Sequence, residues 1–256
     1  MTADLFALLT RIRVSRAPTD LSKAARQQQF FVLVGLAVGL VAVVIGAALY
    51  ELLGKDQALI SAGILMVAMY CVTGILHTEG LADFADGIMA SGTQERKRQA
   101  MKDAHLGVAG VMVVVMYLII TFSLLVTILS KAGEHFDPFP LIWSVPVLLG
   151  LVLSEVAGKL AMNITIYLGP SSHQGMGSLF TEAASAKRMA IGILIAAGIG
   201  IFIAGWLVAL LALGCLAGVV VALMARKNFG GVSGDAFGAA NEVGRLVTLL
   251  AWVLLI

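Results

Sequence analysis

Met189–Ala225 reads MAIGILIAAGIGIFIAGWLVALLALGCLAGVVVALMA, without one charged residue. As a helix rising about 1.5 Å per residue it would extend roughly 55 Å, against a hydrocarbon core of about 30 Å, so the run is two spans turned near Gly200–Gly205. The rest of the chain repeats the pattern in single pieces: Phe30–Leu49, Ala58–Leu76, Gly107–Leu129 and a segment from Leu141 toward Tyr167 are further spans. Hydrophobic residues make up 60% of the chain and charged residues 12%, which excludes a soluble domain. The net charge of +2 gives no support for nucleic-acid binding. The expected fold class is all-α: a polytopic integral membrane helical bundle with six firm transmembrane helices, forming a single domain over residues 1–256. Leu246–Ile256 is too short to cross alone. It becomes a seventh span only by recruiting Phe237–Gly244, which draws Asn241, Glu242 and Arg245 into the membrane.

Residues 1–29 form a basic arm. Leu5, Leu8, Leu9 and Ile12 recur at helical spacing beside Arg11, Arg13 and Arg16, a pattern suited to a helix lying on an anionic lipid surface. Counting spans puts this arm, His77–Leu106, Gly169–Arg188 and Arg226–Arg245 on one side of the membrane. That side then holds every basic residue outside the spans except Lys55 and Lys131, which makes it the cytoplasmic side of the cell membrane. Cys71 and Cys215 lie in apolar runs without C-x-x-C spacing and read as buried hydrophobes. Inside the fourth span Glu155 and Lys159 stand one helical turn apart, either as a buried ion pair or as a substrate contact.

The chemistry concentrates in Thr73–Asp86, TGILHTEGLADFAD. On a helix Glu79, Asp83 and Asp86 are spaced i, i+4, i+7 and share one face. Three acids with no basic residue before Arg96 repel one another, and a bound cation relieves that repulsion; magnesium, which prefers hard oxygen ligands and shares its shell with phosphates, points to phosphate chemistry. The alternative is a solvated acidic helix end. Two more polar loops share this side: GPSSHQGMGSLF at Gly169–Phe180, and NFGGVSGDAFGAANE at Asn228–Glu242. The glycines of the latter leave backbone N–H groups free to approach an anion, and Asp235 adds another hard ligand.

The order HTEGLADFADG, then MKDAHLGVAG, then GGVSGDAFGA, together with LLTRI at Leu8–Ile12, resembles cobalamin synthase, the adenosylcobinamide-GDP ribazoletransferase family. The resemblance implies a magnesium-dependent transfer in which a ribose hydroxyl of α-ribazole, or of its 5′-phosphate, displaces GMP from adenosylcobinamide-GDP. In that reading Glu79, Asp83, Asp86, Asp103 and Asp235 are the metal ligands, and Lys102 offsets phosphate charge. His77 is either the general base or a hydrogen-bonded histidine at the helix end. Gly230, Gly231, Gly234 and Asp235 cradle the pyrophosphate, with His173 beside them. The implied partners are the two small-molecule substrates and membrane lipid, without nucleic acid; a homo-oligomer stays open. Glu79 stands where the family usually has aspartate, Arg13 where a proline is expected and Glu155 where an arginine is expected. A CDP-alcohol phosphotransferase would show D-G-x-x-A-R, whereas Asp86–Gly87 is followed by Ile88, Met89, Ala90 and Ser91. A cation or corrinoid transporter would place its charges near the midplane and repeat its fold.

Overall fold

The structure, a computed structural model, describes residues 3–12, 19–103, 105–132 and 145–255. Arg13 and Arg16 of the basic arm, most of the Ser130–Pro140 turn and the first residues of the fourth span lie outside them. In chain order the helices are α1 (Ala3–Leu9), α2 (Leu21–Arg26), α3 (Phe31–Leu53), α4 (Ala58–Thr73), α5 (Leu76–Met89), α6 (Gln94–Met101), α7 (Val108–Lys131), α8 (Val145–Leu168), α9 (Met176–Ala183), α10 (Ala186–Ala204), α11 (Leu211–Phe229) and α12 (Gly234–Leu255). Among the described residues there is no β-strand, only a single parallel bridge between Ser171 and Val232.

Among the described residues six stretches are long and apolar enough to cross a membrane, and one of them, Ala186–Phe229, is the double run. The protein is therefore a polytopic helical membrane protein. The double run breaks at Gly205, whose φ of +55° suits a residue without a side chain. Gly200 packs against Val208 and Leu211 across the turn. α10 starts beside Asn163 and Tyr167, and Arg226 Nη1 near the end of α11 donates to the Leu168 carbonyl at 3.4 Å, so both legs end at the same level of α8.

α8 is the hub. It packs against α3, α10, α11 and α12, and 94% of its apolar window is buried, compared with 22% in the span that ends in α4 and 28% in α7. Those two helices expose apolar side chains such as Val67 and Ile119, as lipid-facing helices do. Small residues let the hub's neighbours approach closely. A Cβ on Gly39 of α3 would lie 2.5 Å from the Val152 Cα, and one on Gly218 of α11 2.6 Å from the Ala161 carbonyl oxygen.

α12 is the seventh crossing helix that the sequence left conditional. It runs antiparallel to α8 along its full length: Val232, just before it, donates to the Pro170 carbonyl at 2.8 Å, and Trp252, near its end, donates through Nε1 to the Val147 carbonyl at 3.0 Å. Its Asn241, Glu242 and Arg245 are paired, while the buried Thr248 hydroxyl has no partner. Arg245 meets Glu155 of α8 at 3.0 Å and Glu242 one turn back at 2.9 Å. Tyr117 of α7 donates to Glu242 and accepts from Arg245. Lys159 Nζ donates to Asn241 Oδ1 at 2.6 Å. Glu155 thus takes its partner from α12 rather than from Lys159, the ion pair that was one of the two readings of their spacing, because Arg245 brings a forked donor that also serves Glu242.

Three further expectations are corrected. Arg226–Arg245 is not a long polar loop: α11 continues to Phe229 and α12 starts at Gly234, leaving a four-residue connection. The basic arm does not present its leucines to lipid, since Leu5 and Leu9 of α1 are buried in the protein core. Neither cysteine is buried in the protein: Cys71 is exposed on α4 and Cys215 is half-buried on α11, because an apolar run in a membrane helix serves a lipid-facing side as well as a packed one. The grouping of the four polar segments deduced from span counting is present. Arg11 N–H donates to the Val72 carbonyl at 2.8 Å, Lys97 Nζ to Asn228 Oδ1 at 2.7 Å, and Ser172 N–H to the Val232 carbonyl at 2.9 Å, so all four polar segments meet at one end of the bundle.

Replacing Arg245 with Met strands two buried carboxylates. Arg245→Met should destabilise the protein by about 3–5 kcal/mol, read as a lower thermal midpoint in detergent, and Arg245→Met combined with Glu155→Leu and Glu242→Gln should recover much of that loss.

Candidate active site

α5 begins after Gly74, whose φ of +71° turns the chain sharply out of α4. Leu81, Ala82, Phe84 and Ala85 bury one side of the new helix, and the acids occupy the other. Glu79 is exposed while Asp83 and Asp86 are half-buried, so the helical acidic face expected from the sequence is present. Glu79 in the first turn also favours the positive end of the helix dipole.

The position of Asp235 depends on two glycines. A Cβ on Gly80 would lie 3.1 Å from both the Asp235 Cα and its carbonyl oxygen, and one on Gly238 would lie 2.9 Å from the His77 carbonyl oxygen. The backbones of α5 and α12 therefore touch, and the contact sets Asp235 beside the α5 acids. Burial first, then the charges of Asp235, Glu79 and Asp86, raise the Asp83 carboxyl to about 6. Asp235 is also held by Ser233 Oγ, which donates to it at 3.2 Å.

Asp86 has a second task that spacing alone did not reveal. Its two carboxylate oxygens accept from the Gly107 and Gly110 N–H groups, each at 2.8 Å, and both glycines press so closely on it that neither could carry a side chain. Gly107 is the N-cap of α7 and offers no capping side chain; Asp86 supplies that function from another helix. The only signal in the sequence was the glycine pair in HLGVAG.

Basic side chains gather around His173, near Asp235. His173 sits within electrostatic reach of Lys102, Asp235 and Arg98; burial, followed by the cations Lys102 and Arg98, lowers its imidazole below the usual range. Ser172 Oγ lies 2.9 Å from its Nδ1. Arg98 donates to the Phe229 carbonyl at 2.8 Å, an interaction that sequence reasoning missed, and so ties α6 to the end of α11. Gly230 caps α11 with φ of +76° and ψ of 0°. Gly231 packs against the Pro170 carbonyl and the Ser172 N–H group, where a Cβ has no room. Gly234 opens α12, and a Cβ there would stand in open space. Asp103 is set apart from this group: it is exposed, accepts from the His105 N–H at 2.9 Å, and is held below the usual carboxyl range by its bonds to His105.

His77 lies behind the acids, only 5% exposed. Its Nε2 has no hydrogen-bond partner, so the bond expected of a helix-end histidine is missing at that atom. Burial first, then the charges of Lys159 and Arg245, hold the imidazole well below its ordinary range and keep it neutral. It lines a cavity of about 90 Å³ with Leu8, Leu9, Phe31, Phe180 and Asp235 among the walls.

Among the described residues, no three of His, Cys, Asp and Glu stand in a ready-made metal-ligating arrangement. The donor set nevertheless suits magnesium better than a metal that needs a closed protein cage. It offers hard carboxylate oxygens in excess of their counter-charge, near cations that fit phosphate, and Mg²⁺ is commonly held by one or two carboxylates plus substrate phosphates.

An acidic cluster with basic side chains near it, at one end of a bundle of membrane-spanning helices, is the candidate site of a helical membrane protein. The chain belongs to the cobalamin-5-phosphate synthase family, whose profile matches residues 2–253, and is a transferase of cobalamin biosynthesis. It is 32% identical over 261 residues to the adenosylcobinamide-GDP ribazoletransferase of Methanocella arvoryzae, covering 95% of this chain and 91% of that one. It is 32% identical over 253 residues to the enzyme of the same name from Thermococcus kodakarensis, covering 98% and 97%. No solved structure matches the chain.

Burial first, then repulsion from the neighbouring acids, raises the Asp83 carboxyl, so Asp83→Asn, which removes the charge, should raise the thermal midpoint in the presence of EDTA. Asp86→Ala should lower it, through the loss of about 1 kcal/mol of helix capping. Thermal scans of the purified variants check both signs.

Proposed function

We propose that this enzyme joins adenosylcobinamide-GDP to α-ribazole or α-ribazole 5′-phosphate, releases GMP, and requires magnesium, with its active site on the cytoplasmic side of the cell membrane. The observation that carries this reading is the convergence of Glu79, Asp83 and Asp86 from α5 with Asp235 from α12, near Lys102, Arg98 and His173. The names of the relatives support the substrate pair. The sidedness rests on the excess of Lys and Arg in the segments at this end of the bundle.

In the reaction, a ribose hydroxyl oxygen attacks the phosphorus next to the corrinoid. The bond from that phosphorus to the oxygen shared with GMP breaks, GMP leaves with the electron pair, and the hydroxyl proton passes to a base. Glu79, Asp83, Asp86 and Asp235 would hold Mg²⁺, with Asp103 joining only by movement of its turn. When bound, the ion would neutralise charge on the pyrophosphate. Lys102, Arg98 and His173 bind and orient the phosphates, and the connection at Gly230–Ser233 lets backbone approach them. Asp83 is the better candidate for the proton acceptor because its raised carboxyl lies in the cluster; His77 sits deeper, against apolar walls.

Purified protein in detergent or lipid, given adenosylcobinamide-GDP, α-ribazole and Mg²⁺, should form cobalamin and GMP in equal amounts. EDTA and Asp83→Asn should each abolish the reaction; GMP release that survives both would overturn the assignment. Protonation of Asp83 competes with metal, and this group is half-protonated near pH 6. The Mg²⁺ concentration giving half-maximal rate should therefore rise as pH falls through 6, by about tenfold per unit well below it, while a saturating Mg²⁺ concentration restores the rate.

A further inference from the structure

We propose that the cavity behind the acids, enclosed by α1, α3, α5, α8, α9 and α12, binds the planar base of the nucleoside substrate, an alkylated benzimidazole, with His77 Nε2 donating to its free ring nitrogen. This inference rests on the reaction proposed above.

The walls are apolar and aromatic. Phe31, Phe180, Phe237, Met162 and Ile166 line the space, and the Phe31 and Phe180 rings stand 5.9 Å apart at 44°, a tilted pair whose faces and edges suit a flat ring. A cavity of about 90 Å³ lined in this way resembles a small-molecule site more than a packing defect.

The polar side chains in the wall are His77 and Asp235, and only His77 is left without a partner. It is 5% exposed and its Nε2 has no partner. A buried nitrogen without a hydrogen bond is costly and calls for an explanation. A ligand acceptor supplies one when the imidazole carries its proton on Nε2.

The substrates carry three bases, and the cavity discriminates among them: adenine brings an amino group and three ring acceptors to a wall with one orphaned donor. Guanine carries a carbonyl, an amino group and a ring N–H, several of which would be stranded against phenylalanine and methionine. An N-glycosylated dimethylbenzimidazole has one acceptor, the ring nitrogen opposite the sugar, and otherwise apolar surface. One orphaned donor matches one acceptor. Asp235 fixes the orientation, because it lines the cavity and also belongs to the acidic cluster. A base seated in the cavity leaves its ribose at the carboxylates, where the reacting hydroxyl is needed.

The test uses two N-methylated rings that differ only at the acceptor, a dimethylbenzimidazole and the corresponding dimethylindole. Their binding to the purified protein is measured directly by calorimetry, without turnover. The benzimidazole should bind roughly tenfold more tightly to the unaltered protein. His77→Phe should erase the difference, and His77→Gln, which keeps a donor, should restore part of it. Ile166→Trp, which fills the space, should weaken both rings. In all three variants the affinity for adenosylcobinamide-GDP, read from corrinoid absorbance, should stay unchanged. Equal affinities for the two rings in the unaltered protein, as expected if the cavity merely accepts an acyl chain, would overturn the proposal. So would a His77→Phe protein that loses the GDP-corrinoid instead. If neither ring binds while the enzyme still converts α-ribazole, the cavity assignment fails and the reaction stands; ring discrimination without turnover would sink the reaction and uphold the cavity as a benzimidazole site.

Discussion

The fork of Arg245 between Glu155 and Glu242 is the interaction on which the arrangement depends. A charge near the middle of a membrane helix costs about 2.5–3.5 kcal/mol even on the most lenient scale. α12 carries two such charges, and α8 adds Glu155 and Lys159. Together the four sum to zero, and the hydrogen bonds of Tyr117 and Asn241 take up much of their remaining capacity. With that cost offset, α12 can lie against the hub helix from end to end, and its first turn can deliver Asp235 to α5.

The acidic cluster follows from this docking. α5 and α12 approach at Gly80 and Gly238 with no side chain between them, so the distance between Asp235 and the α5 acids is set by backbone contact rather than by flexible side chains. Rigid backbone is a good support for a site that must hold like charges together, because side-chain relaxation would otherwise relieve the repulsion. The anchoring of Asp86 to the first turn of α7 adds a third helix to the same frame.

Much of this was legible in the sequence, for reasons that separate local from distant information. The double span in Met189–Ala225 follows from length against bilayer thickness, and the acidic face of α5 from a spacing of four and three residues. The fate of α12 was not legible, because its charges become tolerable in a membrane only through Glu155 and Tyr117, which lie 90 and 128 residues from Arg245 along the chain. The Glu155–Lys159 pair looked satisfactory on local spacing and lost to that distant partner. The arm at Leu5 and Leu9 failed differently: an apolar stripe reads the same whether lipid or protein covers it. The cavity at His77 had no sequence signature, since its walls come from six separate helices.

The dependence of α12 on earlier helices bears on how the chain is made. α12 leaves the ribosome after α7 and α8, and its 22 residues carry charges that a lateral gate would retain poorly on their own. Its partners on α7 and α8 are synthesised first. Until α12 arrives, the nearest counter-charge to Glu155 along its own helix is Lys159. Docking of α12 brings the Arg245 guanidinium to Glu155 and the Asn241 amide to Lys159. Asp235 joins the acids of α5 only once α12 is in place, so a chain stalled before α12 lacks one of the four clustered carboxylates.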